Sequence, residues 1–194
     1  MNRQQRFDYL YNRMTDKHFL NRTHLGDELP FYICPYKPRE KFMIIEDVQM
    51  LKKKLSRRQI KVLEFDLFDM TIDQCKTWGI WEQIKSGVLE LTKEQLKETF
   101  QNIMAPHQYL KEIIGQRIAQ ENHDLIFITG VGEVYPYLRT HAILNNLQSM
   151  IQDKPVIIFF PGEYKYHPIN GSTLELFGRM HNDRFYRAFN IYEH

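Results

Sequence analysis

Two uninterrupted apolar runs in the last third of the chain constrain its fold more than any other feature. The first spans Leu125–Thr129 with the sequence LIFIT, and the second spans residues 156–160 with the sequence VIIFF. A strand with one face in solvent alternates apolar and polar residues, whereas a continuous apolar run is typical of a strand that is covered on both faces. Such strands occur in parallel sheets between two layers of helices. The two runs therefore predict a parallel α/β sheet.

The remaining hydrophobic periodicities complete an alternation of strands and helices. Further strands are predicted at residues 31–34, 62–67 and 185–191. Helical spacing is found at residues 7–14, 40–57, 72–84, 92–103 and 107–121, from just after Gly132 to about residue 150, and briefly from residue 172. This alternation implies right-handed crossovers between parallel strands. The sequence predicts an α/β fold, a three-layer sandwich with four or five mainly parallel strands, helices on both faces and a helical insertion at about residues 69–121.

Local signals predict where several of these elements begin and end. Three pairs of residues have the spacing of a capping box at the start of a helix. They are Thr71 with Gln74, Thr92 with Gln95, and Ser172 with Glu175. Pro161-Gly162 is typical of a strand end, so we expect the strand at residues 156–160 to stop there.

Composition bounds the kind of protein. A chain of 194 residues with 43% hydrophobic residues can bury a full core as one domain, residues 1–194. Its net charge of +2 argues against a protein that grips nucleic acid through a broad basic surface. Cys34 and Cys75 match no metal or redox spacing, which favours a reducing compartment. No signal peptide or membrane span is predicted, so we expect a soluble cytoplasmic protein.

The glycines argue against a nucleotide-binding site. None of the nine glycines is followed by lysine, so the Gly-Lys-Ser/Thr triplet of a phosphate-binding loop does not occur. The turn Gly130-Val131-Gly132 follows a predicted strand and could form an anion nest. However, Tyr135 stands where a dinucleotide-binding turn has its third glycine, and Glu133 would repel a phosphate. No predicted strand ends in a magnesium-binding aspartate, and we expect no nucleotide hydrolysis and no cofactor.

Catalytic and metal-binding motifs are incomplete as well. Glu163 and Lys165 have the spacing of the Glu-x-Lys half of a metal-dependent nuclease, but the acidic partner at a comparable strand is missing. His141 belongs to no HExxH motif, and Ser172 is expected to cap a helix rather than to act as a nucleophile. The run Lys52-Lys53-Lys54 fits a phosphate-binding patch or, more simply, a solvated helix end. We therefore predict no catalytic residue and no metal site.

Several segments together resemble a known family. They are Pro30-Phe31-Tyr32-Ile33-Cys34-Pro35-Tyr36, Ile128-Thr129-Gly130-Val131-Gly132-Glu133-Val134-Tyr135-Pro136 with Arg139-Thr140-His141, Phe159-Phe160-Pro161-Gly162-Glu163-Tyr164, Leu176-Phe177 and Tyr186-Arg187-Ala188-Phe189. This pattern resembles the BrxB family, the small conserved subunit of BREX bacteriophage-exclusion systems, over residues 5–191. The resemblance implies a bacterial protein encoded with a large ATPase, a DNA adenine methyltransferase and PglZ, a protein of the alkaline phosphatase superfamily. It further implies an assembly or adaptor subunit that binds PglZ and supports DNA methylation and phage restriction.

The strand ends supply a candidate surface for such a partner. In open α/β sheets, ligand and partner sites gather at the carboxyl ends of the strands. Two predicted turns follow such ends here, at residues 130–133 and at residues 161–164. Exposed aromatic and arginine side chains are common anchors of protein interfaces. The candidate partner-binding residues are Gly130, Gly132, Glu133, Tyr135, Arg139, Glu163 and Tyr164.

Three other interpretations remain open at this point. Both turns can be plain tight connections, in which case the insertion at residues 69–121 is the next candidate for the partner surface. A degenerate metal-dependent nuclease and a nucleic-acid-binding adaptor are the two rival functions.

Overall fold

The computed structural model describes residues 1–21, 30–87, 92–103, 110–138, 140–151, 153–167, 171–177 and 188–193. The elements in these ranges, in chain order, are α1 (Arg3–Thr15), α2 (Lys17–Asn21), β1 (Phe31–Tyr36), α3 (Lys41–Arg57), β2 (Val62–Asp66), α4 (Leu67–Thr77), α5 (Trp81–Ser86), α6 (Lys93–Ile103), α7 (Gly115–Gln120), β3 (Leu125–Thr129), α8 (Thr140–Gln148), β4 (Val156–His167), β5 (Gly171–Leu176) and β6 (Phe189–Asn190). A 3₁₀ turn (Pro38–Glu40) precedes α3, and a π-helical turn (Leu110–Ile114) leads into α7.

The sheet is mainly parallel, as predicted. Five strands lie in the order β2-β3-β4-β1-β6, and all of their pairings are parallel. The distal half of β4 also pairs with β5, which runs antiparallel to it. The two apolar runs that predicted a buried parallel sheet are thus β3 and the first half of β4, which are neighbours.

Two apolar cores cover the two faces of the sheet and make the fold three-layered. Ile126 and Ile128 of β3 belong to one core, which is shared with α4, the 110–114 turn and α8. Leu125 and Phe127 point to the other core, which is shared with α1, α2 and α3. This alternation requires apolar residues at the first four positions of β3, which is why the run is continuous there. The predicted α/β sandwich with helices on both faces and a helical segment between β2 and β3 is confirmed.

The strand that begins at Val156 does not stop at Pro161-Gly162, so that prediction is wrong. Pro161 is paired with Tyr36 of β1, and Gly162 begins the pairing with β5. A Cβ on Gly162 would collide with the backbone oxygen of Glu175, so this glycine permits a close approach of two strands. The predicted short helix from residue 172 is also wrong, because residues 171–176 form β5.

Two helix starts differ from their predicted positions. Helix α4 begins at Leu67 rather than after Thr71, because Asp66 caps it from the end of β2; the buried Thr71 instead donates to the carbonyl of Leu67 at 2.7 Å. After Gly132 the chain makes successive turns up to Leu138, and α8 begins only at Thr140.

Other predicted positions agree with the structure in whole or in part. The capping box at Thr92 and Gln95 is confirmed, with reciprocal contacts of 2.9 and 3.2 Å. The predicted helix at residues 107–121 is described from residue 110, as the 110–114 turn and α7. The last strand is confirmed only at Phe189–Asn190, because residues 178–187 lie outside the described ranges.

Candidate functional site

Polar side chains tie the carboxyl ends of β2 and β3 together. Asp66 and Thr129 end these strands and are paired in the sheet. The Asp66 Oδ1 atom accepts from the backbone N–H groups of Phe68 and Asp69 at 2.9 and 3.0 Å, which caps α4. The Thr129 hydroxyl lies 3.0 Å from Asp66 Oδ2 and 3.2 Å from the Glu64 carboxylate. An aspartate therefore does end β2, but its carboxylate caps α4 and accepts from Thr129. That no strand ends in a magnesium-binding aspartate stays a prediction.

The turn after β3 is shaped by its two glycines. Gly130 has a positive φ of 73°, and a Cβ there would lie 2.6 Å from Asp66 Oδ1 and 2.8 Å from the Phe68 nitrogen. A Cβ on Gly132 would lie 2.7 Å from the ring of Pro161. Both glycines allow close packing of the turn, Gly130 against α4 and Gly132 against β4.

The first half of the predicted partner surface lies around a small cavity. The Glu133 carboxylate forms an ion pair with Lys41 at 2.6 Å, and the Tyr135 ring packs edge-on against Phe177 at 6.3 Å between centroids. The cavity beside them has a volume of about 270 Å³. It is lined by Tyr36, Pro38, Lys41, Gly132, Glu133, Pro161 and Phe177.

The second half of that surface lies on the β4–β5 hairpin, and its two residues face differently. The Glu163 side chain is 63% exposed. Tyr164 is half-buried against the core, and its hydroxyl donates to the Ala188 carbonyl at 2.9 Å. Lys165 reaches Glu175 at 2.8 Å and Glu163 at 3.6 Å, so the Glu-x-Lys pair belongs to the ion pairs that join the two strands.

The predicted surface residues are therefore only partly brought together. Because β3 and β4 are neighbours, the turn that carries Gly130, Gly132 and Glu133 meets β4 at Pro161, as expected. Arg139 lies outside the described residues.

Sequence patterns did not find a concave feature at this edge, a cleft of about 540 Å³ between α3 and α4. We call it the acidic cleft, because its walls carry six carboxylates and three cationic side chains. The carboxylates are Glu64, Asp66, Asp69, Asp73, Glu121 and Glu133, and the cations are Lys41, Lys52 and Arg117. The residues come from five segments that are distant in sequence, so no local motif could have revealed them.

Most charges in the acidic cleft are already balanced. Lys41 pairs with Glu133, Lys52 with Glu64, and Arg117 with Glu121 at 2.6 Å. Lys52 is thus held by a carboxylate, and Lys54 lies 4.7 Å from the Phe7 ring centroid, which disfavours a phosphate patch on the lysine run. Asp73 pairs with Lys76 at the cleft wall.

Two groups in the cleft have raised pKa values. Partial desolvation, followed by the charges of Asp66 and Asp73, raises the pKa of the Asp69 carboxyl above its usual range. Burial, followed by the charge of Glu133, raises the pKa of the Tyr36 phenol, which stays protonated at neutral pH.

The described residues show no arrangement for metal or thiol chemistry. They contain no group of three or more His, Cys, Asp or Glu side chains that could hold a metal ion. Cys34 and Cys75 are both buried and free, and burial raises the pKa of the Cys34 thiol to about 12, which suppresses the reactive thiolate. Among the helices described, none has the length and apolarity required to span a membrane.

Comparisons with known proteins give a consistent result. The family model described as "BREX protein BrxB" matches residues 63–191, more than half of the chain. A protein named BREX protein BrxB from Bacillus cereus (strain H3081.97) is 31% identical over 196 residues, covering 96% of this chain and 96% of that protein. A protein of the same name from Escherichia coli O9:H4 (strain HS) is 23% identical over 186 residues, covering 96% of this chain and 90% of that protein. No solved structure matches significantly.

Proposed function

The chain belongs to the BrxB family of BREX proteins, and we propose that it is a non-catalytic assembly subunit of a BREX-type phage-defence complex. The observation that carries this proposal is the similarity to BREX proteins along almost the whole chain, 96% of it for both relatives. The sequence adds that no phosphate-binding loop or other complete catalytic motif is present. In this proposal the 194 residues act in the cytoplasm as one domain that contributes binding surface.

The proposed partner is the PglZ-type subunit, with other BREX subunits as further contacts. By holding that subunit in the complex, the chain would support DNA methylation and phage restriction. Exposure supports a surface that includes Glu163, which is accessible, and Phe177, which is accessible and packs against Tyr135 of the turn after β3. Gly130 and Gly132 would shape this surface, while Glu133, Tyr135, Arg139 and Tyr164 complete it.

The first test is co-purification of the tagged chain with each subunit of its BREX system in turn. We expect the PglZ-type subunit to be retained in a defined ratio after gel filtration. Recovery of no BREX subunit by the intact chain would overturn the proposal.

The second test locates the interface on the chain. A Glu163→Ala variant removes an exposed carboxylate that contributes little to folding, because exposed ion pairs are worth about 0–1 kcal/mol. We expect about tenfold weaker binding of the PglZ-type subunit with an unchanged melting temperature. Tyr164→Phe is preferable to Tyr164→Ala, since it keeps the packed ring and removes only the hydroxyl that reaches Ala188. Asp153→Ala, an exposed carboxylate before the start of β4, is the matched control.

The two rival functions have their own tests. A degenerate nuclease would use Glu163 as a metal ligand, so its affinity for Mg²⁺ would fall in Glu163→Ala. A nucleic-acid adaptor would bind DNA with a steep salt dependence. We expect neither result, because Lys165 is engaged by Glu163 and Glu175 and the chain is close to neutral.

A further inference from the structure

Exposed apolar side chains occur on both helices that bound the acidic cleft. On α3, Phe42 is 77% exposed and Ile45 is 48% exposed; on α4, Phe68 is 43% exposed. Ile45 lines the cleft directly, and Phe42 follows the lining residue Lys41. Phe68 lies between Asp66 and Asp69, which line the opposite wall.

These exposed residues are grouped rather than scattered. With Phe177, they make up four of the seven large hydrophobic residues that are exposed in the described part of the chain, and all four lie at the carboxyl edge of the parallel sheet. Single exposed apolar residues are common on protein surfaces, but a group rimmed by polar side chains marks an interaction site.

The packing of α3 also leaves its exposed apolar side chains outside the core. Its inward stripe, Ile44, Val48, Leu51 and Leu55, is buried in the core, so the core already has its contacts from this helix. Phe42 and Ile45 lie outside that stripe, and no residue in the described ranges buries them. Their apolar surface is therefore available to another molecule.

The carboxylates decide what kind of molecule fits. Six carboxylates against three cations leave the lining residues with a net charge of −3. Each of the three cations is already paired with a cleft carboxylate. The Asp69 carboxylate, by contrast, has no hydrogen bond or ion pair within the described part of the chain, and only its backbone N–H is bonded, to Asp66 Oδ1. An incoming cation would relieve this excess, while a nucleic-acid phosphate would be repelled.

We propose that the acidic cleft and its rim of Phe42, Ile45 and Phe68 form a docking surface for a segment of a protein partner that is rich in arginine or lysine and carries apolar side chains. The segment's cationic groups would enter between α3 and α4 near Asp69 and Asp73, and its apolar side chains would cover the rim. A cleft of about 540 Å³ is large enough for two or three such side chains. The inference rests on the proposed function in that the segment belongs to a BREX partner.

A synthetic peptide of alternating arginine and leucine is the probe, with a glutamate–leucine peptide as its negative counterpart. Binding to the full chain is measured by fluorescence anisotropy. We expect the arginine peptide to bind and its affinity to fall about fivefold between about 50 and 300 mM salt, because the exposed charges are screened. The glutamate peptide is expected not to bind.

Two variants test the two parts of the surface. Asp69→Asn/Asp73→Asn removes two exposed cleft carboxylates and is expected to weaken peptide binding about fivefold. Phe42→Ser/Ile45→Ser removes rim contacts and is expected to weaken it similarly. The control Glu82→Gln/Glu112→Gln makes the same charge change on α5 and the 110–114 turn, away from the cleft, and should bind like the wild type.

The outcomes separate this inference from the proposed function. No binding of the arginine peptide, equal loss in the control, or preferred binding of DNA by the same surface overturns the docking surface. So does a dimer of the wild type that Phe42→Ser/Ile45→Ser dissociates, because the rim is then covered by a second copy.

If the PglZ-type subunit co-purifies equally with the wild type and Asp69→Asn/Asp73→Asn, the docking surface is wrong while the assembly role stands. If no BREX subunit co-purifies, the assembly role fails and the peptide measurements alone decide the cleft.

Discussion

Gly130 shows how one backbone position holds the carboxyl edge of the sheet together. It turns the chain after β3 with a positive φ, and the space beside it is filled by Asp66 and the first turn of α4. Two separate requirements therefore meet at this residue, a left-handed backbone and the absence of a Cβ. Gly79 and Gly87 also have positive φ, of 72° and 67°, but nothing lies within 4 Å of a Cβ placed on them.

This difference predicts a graded effect of alanine at the three glycines. Gly79→Ala and Gly87→Ala should each lower the free energy of unfolding by about 1–2 kcal/mol, the cost of the left-handed backbone alone. Gly130→Ala should cost more, about 3 kcal/mol or above, because the methyl group also displaces the Asp66 cap. Urea unfolding of the three variants measures this. Equal losses at all three positions would show that the contact with Asp66 has no energetic weight.

Asp66 combines two structural contacts that a single substitution can separate. Its Oδ1 atom caps α4, and its Oδ2 atom accepts from Thr129. Asp66→Ala should cost about 1–2 kcal/mol, whereas Asp66→Asn keeps an oxygen for the cap and should cost about half of that. Thermal unfolding of the two variants checks the order, and an asparagine variant as unstable as the alanine variant would contradict it.

Among the elements, the β4–β5 hairpin is stabilised by the ion pairs of one lysine, Lys165. Glu163 and Glu175 are directly opposite each other on antiparallel strands, an unfavourable arrangement that the Lys165 ammonium offsets. Glu175 is buried and Glu163 is exposed. Lys165→Met should therefore lower the midpoint of urea unfolding, and Lys165→Met/Glu175→Gln should recover most of that loss. Glu163→Gln, at the exposed carboxylate, should cost less than about 0.5 kcal/mol in the same urea titrations.

The contact between α1 and the 3₁₀ turn before α3 makes a pH-dependent contribution to the free energy of unfolding. Arg6 and Glu40 form an ion pair at 2.7 Å with both side chains mostly buried, and this hydrogen bond holds the pKa of Glu40 below its ordinary value of 4.5. A carboxyl pKa that is lowered by folding stabilises the protein above the unfolded-state pKa, and that stability is lost as the pH falls through the folded-state pKa. Glu40→Gln should thus cost about 1 kcal/mol at neutral pH, and this difference from the wild type should shrink as the pH falls below the ordinary carboxyl pKa of 4.5. Glu46→Gln, at the exposed ion pair with Arg3, is the control. It should lower the free energy of unfolding at neutral pH by less than Glu40→Gln does.

An element could be predicted where its local sequence pattern has only one structural explanation. The prediction failed where the same pattern fits two different structures. The apolar run of β3 has a single explanation, a strand covered on both faces. Gly162, by contrast, fits a turn or a close approach of strands, and only the partner strand decides between them. The capping spacing at Thr92 is a true cap, whereas Thr71 has the same spacing but lies inside a helix that Asp66 starts earlier. The acidic cleft could not be predicted, because its residues meet only after the strand order is known.

For the molecule as a whole, the cleft forms at the carboxyl edge of the sheet. From β1 the chain passes to α3 on one face of the sheet, and from β2 and β3 it passes to α4 and α8 on the other face. The strands that precede these helices, β1 and β2, are not neighbours, because β3 and β4 lie between them. The cleft between α3 and α4 lies at the carboxyl edge, where sites of open α/β sheets gather.

Burial is uneven across the molecule, and this predicts an order of local opening. The central strands β1, β3 and β4 are buried on both faces, whereas the described side chains of α5 and α6 include no buried residue. A ring contact between Phe100 of α6 and Tyr137, 4.6 Å between centroids, ties α6 to the turns before α8. Amides of α6 should therefore exchange with deuterium at least about a hundredfold faster than those of β3, which open only on global unfolding. Phe100→Ala should speed exchange in α6 further and leave β3 nearly unchanged, while Phe68→Ala, at an exposed ring, should alter neither. Protection of α6 equal to that of β3 would mean that the insertion unfolds together with the sheet and would contradict this order.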